Sequence, residues 1–246
     1  MEEQREIYGR SMESIVQKPL CYIQSRHTSR LVRKSVEHEL MLAHGRNRQS
    51  VPVFEGFLNI ICTEYGKIGG LWFDGMWNKP QADWEEDAMY GMIRSHQPDA
   101  MIINNTGLDA RGALGHIELD SVTFERGKPQ PINLETSPKY IASEMCETLC
   151  EHWGYVENDL CYKSTGELIR TFAICRRYRS NFLLNVGPMA DGSLRTIDRG
   201  ILEILGKWVR LNEEAIRQPA PTGISVEGRE DDFILRKDNT LYLFVR

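Results

Sequence analysis

Long apolar runs are missing from this 246-residue chain: none approaches the roughly 20 residues that a bilayer-spanning helix needs. The opening MEEQREIYGRSMES carries charge and no apolar core, so no secretory signal is expected there, and the expected location is the cytoplasm. Excess positive charge is missing too. The formal net charge is -5, which gives no general basic surface and removes nucleic acid as the expected partner. Six cysteines (Cys21, Cys62, Cys146, Cys150, Cys161, Cys175) are too few and too scattered for a disulfide framework, so reduced thiols are expected. Cys146, Cys150 and His152 lack a fourth metal ligand, and Gly187-Pro188 is followed by no Lys-Ser/Thr, so neither a metal site nor a phosphate loop is expected.

What is present is the composition of a globular domain, 41% apolar and 26% charged, in a chain long enough to bury a sizeable core. Residues 1–50 have mixed charge and weak periodicity. From Phe54 to Tyr65 apolar residues fall at helical spacing, and a strand follows over 68–73. The alternation repeats with a helix over 84–96 and a strand over 100–103, which ends in Asn104-Asn105-Thr106-Gly107. A long loop over 107–138 holds one strand, 121–124. Helices are expected over 138–153, 167–177 and 199–216, with a strand over 181–186. Short strands over 224–226, 233–236 and 241–245 follow Pro219-Ala-Pro221.

Helix and strand in alternation, with polar residues at strand ends, is an α/β pattern. In a parallel (β/α) barrel those ends make the active-site face. The stretch LWFDGMW, residues 71–77, sets Asp74 at such an end between Trp72 and Trp77, whose rings suit the apolar faces of a sugar. A turn with Gly75, or a cap on a following helix, explains Asp74 equally well from spacing alone. Glycoside hydrolysis needs a second carboxylate. Glu118, Asp120, Glu125, Glu135, Glu144 and Glu147 are all available, and most of them must be ordinary solvated acids.

LWFDG after a Tyr-Gly-x-Ile turn, then WGY (153–155), NFLLNVGPxxDG (181–192) and a helix ending LNEEAI before a β segment, taken in order, resemble the α-L-fucosidases of glycoside hydrolase family twenty-nine. The resemblance runs from about Phe54 to the C-terminus. It implies a retaining hydrolase that removes terminal α-L-fucose through a covalent glycosyl-enzyme intermediate without metal or organic cofactor. Asp74 matches the nucleophile and Trp72 a tryptophan of the fucose pocket, with Trp77 beside them. Glu125, in Thr-x-Glu, is the choice for acid/base, with Glu118 and Glu135 behind it. Arg111 resembles an arginine near the sugar. Retention places the two carboxyl groups roughly 5 to 5.5 Å apart.

The family's early Gly-x-x-x-His-Trp-Gly and His-His-Asp-Gly motifs have no match here. The expected fold is therefore a partial (β/α) TIM-like barrel over 51–218 that lacks the first strands. A helical or loop segment precedes it over 1–50, and a β appendage over 219–246 is the start of a C-terminal β-sandwich. A sheet opened in this way exposes edges. The chain is thus expected to act on fucosylated glycans or fucosides with a second copy of itself or a complementing chain. A fucosidase remnant that binds sugar or serves as structure, without turnover, is the alternative.

Overall fold

The computed structural model describes residues 20–24, 50–78, 80–132, 137–222, 224, 226–227 and 231–245, with backbone alone considered for 20–24 and 50–54. Most of the segment 1–50 therefore lies outside the described residues. Chain contacts divide the protein into two compact units, one of residues 1–107 and 113–122, the other of residues 108–112 and 123–246.

In the first unit β1 (Leu20–Gln24) lies antiparallel to β2 (Gly70–Asp74), with Leu20 opposite Asp74 and Gln24 opposite Gly70. A parallel barrel has no such strand, and nothing in the sequence pattern announced it. β2 runs parallel to β3 (Met101–Asn104), and β3 to β4 (Ser121–Glu125) through Ile103 and Ser121. Helices α1 (Ser50–Glu64) and α2 (Glu86–His96) cover one face. Leu58 and Ile61 of α1, Leu71 and Phe73 of β2, Met89, Tyr90 and Ile93 of α2, and Ile102 of β3 form one core.

Two polar side chains fix the ends of these elements. Gln97 donates to the carbonyls of Cys62 (2.7 Å) and Gly66 (2.8 Å) and accepts from the Ile68 amide (3.2 Å). It thereby satisfies carbonyl groups that the end of α1 leaves without helical partners. Arg94 donates to the carbonyls of Ala100 and Glu118 and pairs with the carboxylates of Glu118 and Asp120. That ties the approach to β4 onto α2.

In the second unit β5 (Ala142–Thr148) runs parallel to β6 (Ser180–Asn185), from Ser143 opposite Ser180 to Thr148 opposite Asn185. The strand β5 replaces the helix expected over 138–153. Every residue from Ser143 to Thr148 is buried, as in a strand covered on both faces, so no period of two survives in its sequence. The spacing of Glu144 and Glu147, and of Cys146 and Cys150, imitated a helix instead. Helix α3 (Thr165–Arg177) starts at a capping box in which Ser164 and Glu167 bond reciprocally, and Phe172 meets Phe182 of β6 at 5.9 Å between ring centres. The amphipathic stretch after it is two helices, α4 (Thr196–Leu211) and α5 (Glu213–Arg217), rather than one.

The C-terminal strands form a small antiparallel sheet, β7 (Ala220–Pro221), β8 (Phe233–Lys237) and β9 (Thr240–Phe244), in that order. The strand expected over 224–226 falls partly on undescribed residues. Phe233 and Phe244 stack at 4.5 Å across the β8–β9 pair. At this end of the chain the described residues contain this small sheet and no second layer that would make a sandwich.

Candidate active site

The alternation along β2 decides where Asp74 points. Leu71 and Phe73, each 1% exposed, enter the core, so Trp72 and Asp74 share the opposite, half-buried face. The strand stops because Gly75 adopts φ 83°, a conformation that glycine takes without the Cβ penalty, and a short 3-10 turn follows over Met76–Asn78. That turn brings the Trp77 indole back over the carboxylate.

One oxygen of Asp74 is fully engaged. Its Oδ1 accepts from the Gly75 amide (2.8 Å), Trp77 Nε1 (2.9 Å) and Asn105 Nδ2 (3.1 Å). All three donors are uncharged, and no described residue donates to Oδ2. Both readings of Asp74 left open by its spacing are thus present: it makes a turn bond to Gly75, and it is also held at a strand end with an oxygen to spare.

Asn105 follows directly on β3. Its amide donates to the Phe73 carbonyl (2.8 Å), which prolongs the β2–β3 ladder, and its Oδ1 accepts from the Gly107 amide (3.2 Å). Gly107, at φ 80°, lies under Trp77 so closely that a Cβ there would sit 2.9 Å from the ring atom Cγ. The neighbouring Asn104 turns the other way, into the core, where its Nδ2 donates to the Tyr90 hydroxyl (3.2 Å). Tyr90 donates in turn to Glu86 (3.1 Å), and burial with the Glu86 charge pushes its phenol well above the usual range, so it stays neutral.

Of the residues singled out from the sequence, the first unit brings together Trp72, Asp74 and Trp77. Trp72 alternates with Asp74 on one face, whereas Trp77, 43% exposed, is a hydrogen-bond donor to it as well as an exposed ring. Glu118 also lies in this unit, but Arg94 engages its side chain at 3.2 Å. The second unit holds Arg111 and Glu125. Arg111 is exposed after a 3-10 turn (Leu108–Ala110), and the next amide, Gly112, donates to the Thr123 carbonyl of β4 at 2.8 Å. Glu125 ends β4, half-buried, just after Phe124, whose ring rests against Gly112. Glu135 lies outside the described residues. Asn105 is the contributor whose part the spacing did not foretell: the polar run at the strand end marked its place, but only the pairing of β2 with β3 aims its amide at Asp74.

The family model of alpha-L-fucosidases matches residues 29–214, a span that contains this whole site. The chain belongs to the alpha-L-fucosidase family. Tissue alpha-L-fucosidase of Bos taurus is 30% identical over 166 residues, covering 64% of this chain and 33% of the relative. The alpha-L-fucosidase of Dictyostelium discoideum is 30% identical over 158 residues, covering 61% and 32%. The chain thus spans about a third of the length of the curated relatives it matches.

Among solved structures, alpha-L-fucosidase isoenzyme 1 from Paenibacillus thiaminolyticus superposes with a TM-score of 0.63 at 27% identity, over 80% of this chain and 47% of that one. A family 29 fucosidase from Bacteroides thetaiotaomicron, at 20% identity and a TM-score of 0.59, shares the fold over 78% and 45%. The strands β2 to β6 with their helices are accordingly the parallel half of a TIM-like α/β fucosidase fold.

Proposed function

We propose that this fucosidase-family chain takes part in retaining hydrolysis of terminal α-L-fucose from glycans or simple fucosides, with Asp74 as the nucleophile. The observation that carries the reading is the carboxylate at the end of β2, anchored through Oδ1 and unbonded at Oδ2 among the described residues. A nucleophile must be held still while one lone pair stays available, and three N–H donors on the other oxygen hold this one in place. Trp72, beside it on the same face, offers an apolar ring to a sugar.

In the first step a carboxylate oxygen of Asp74 attacks the anomeric carbon. The bond from that carbon to the leaving oxygen breaks with its electron pair, and Glu125 gives that oxygen a proton. In the second, water attacks the same carbon, the ester bond to Asp74 breaks and frees the carboxylate, and Glu125 takes the proton back. Glu125, half-buried at the end of β4 just after the buried Phe124, is assigned the acid/base role on the family resemblance. Arg111 is placed near the sugar on the family resemblance alone. Because the chain spans about a third of its curated relatives, a second reading stands beside this one: fucose binding without hydrolysis unless another chain completes the pocket.

The test is hydrolysis of 4-nitrophenyl α-L-fucoside by the full chain, alone and after trapping with a 2-deoxy-2-fluoro-fucosyl fluoride. Turnover is expected to fall by about 10⁴-fold or more in Asp74→Asn, and the trapped sugar to map to the peptide that contains Asp74. Glu125→Gln is expected to lose about 10² to 10⁴-fold, with added azide restoring part of the rate by replacing water as the second nucleophile. A folded chain that binds fucose but neither turns over nor traps leaves the second reading standing.

A further inference from the structure

The anchoring of Asp74 through a single oxygen has a source that can be tested. Of its three donors, the Gly75 amide is adjacent in the chain and follows from the turn itself. The other two arrive from elsewhere. Trp77 Nε1 reaches back from the 3-10 turn, and Asn105 Nδ2 comes from the neighbouring strand, 31 residues on.

Asn105 is itself immobilised at three points. It is 4% exposed, its backbone amide continues the β2–β3 ladder, and its Oδ1 is taken up by the Gly107 amide. That last bond also decides which way its side-chain amide faces. With Oδ1 committed to Gly107, the NH₂ group is turned toward Asp74. Gly107 in turn closes on the Trp77 ring. Asn105, Gly107 and Trp77 therefore form one clamp, and both of its side-chain donors land on the same carboxylate oxygen.

We propose that Asn105 is a positioning residue for the reaction: with Trp77 it holds Asp74 by Oδ1 and so makes Oδ2 the oxygen that attacks the anomeric carbon. The proposal rests on the fucosidase reading for the attack itself, while the clamp is a property of the folded chain. A carboxylate released on one side swings about its Cβ–Cγ bond and presents either oxygen, and a misplacement of about 1 Å of an attacking group costs on the order of 10²-fold in rate.

Asn104 supplies an internal control. It is the same residue type, one position earlier and nearly as buried at 7%, yet it faces the core and Tyr90 rather than Asp74. Asn105→Ala is expected to lower kcat on the aryl fucoside by about 10²-fold with KM within about threefold, and Asn105→Gln to recover part of the loss. Asn104→Ala is expected to lower the melting temperature and leave kcat within about threefold.

The Trp77 indole N–H resonance, assigned in a ¹H–¹⁵N spectrum through Trp77→Phe, reads the clamp without any turnover. Asp74→Asn and Asn105→Ala should each shift it, and Asn104→Ala should not. If the resonance stays in place in a folded Asn105→Ala chain, or if kcat is unchanged there, the positioning role is wrong. A shifted resonance in a chain that hydrolyses nothing upholds the clamp and removes the fucosidase reading of this chain instead.

Discussion

Asp74 and Glu147 are both carboxylates near the C-terminal ends of parallel strands, one in each unit, and they are held in opposite ways. Asp74 is half-buried and, among the described residues, receives only neutral N–H donors, all on one oxygen. Glu147, on β5, is 4% exposed; its Oε1 accepts from the Thr148 amide (2.9 Å) and sits 3.1 Å from the Lys163 ammonium. Lys163 also donates to the carbonyls of Thr148 (2.9 Å) and Cys150 (3.4 Å). Glu147 is neutralised and closed in, which is how a buried charge is tolerated. Asp74 keeps its three partners and, among the described residues, an unbonded oxygen. The lesson is that position at a strand end does not mark a reacting acid; the kind of donor and the oxygen left over do.

Opposite outcomes on substitution would sharpen that contrast most. Asp74→Asn, expected to abolish turnover by about 10⁴-fold or more, should leave the urea midpoint nearly unchanged, since an amide oxygen still accepts from Gly75, Trp77 and Asn105. Lys163→Met should do the reverse. It strands the Glu147 carboxylate without its cation, and removing one partner of a buried pair costs about 3 kcal/mol, toward the low end of the usual range because Lys163 is 27% exposed. Urea unfolding of both variants checks this. An Asp74→Asn midpoint that falls as far as that of Lys163→Met would break the comparison and make Asp74 a structural acid.

How much of this could be read in the residues follows from what each element presents to solvent. The strand β2 was legible because one face is core and the other half-exposed, so Leu71 and Phe73 alternate with Trp72 and Asp74. α2 and α3 were legible from their periodicity and end signals, and their observed starts lie within two residues of those expected. The strand β5 was illegible for the opposite reason. Buried throughout, with two acids inside it, it resembles a polar helix until Asn181 is found bonded to Glu144 (2.7 Å) and Lys163 to Glu147. At the site, WFDG gave the position of Asp74 and the family resemblance suggested its role. Trp77 was expected as a sugar platform, and its indole bond to Asp74 needed the Gly75 turn to become visible. Asn105 needed the strand pairing, which no local pattern encodes.

The smallest expected effect concerns a third acid, Asp159, which lies between these two extremes. Like Glu147 it is buried, at 6% exposure, yet like Asp74 it is served mainly by N–H groups: the amides of His152 (2.9 Å) and Cys161 (3.1 Å), with a ring nitrogen of His152 at 3.0 Å. Burial works to raise its carboxyl, and the bonds from His152 and Cys161 outweigh that, so it titrates below the usual range for aspartate. A carboxyl lowered by folding adds stability that is complete above the unfolded value, about 3.9, and that drains away as pH falls through the lower folded value. In urea titrations from pH 7 down to pH 2, the advantage of the native chain over Asp159→Asn should hold steady to about pH 4 and shrink below it. A gap that instead widens on acidification would mean that the carboxylate is a burden in the folded loop. The bonds from His152 and Cys161 would then not suffice to offset the cost of burying this acid.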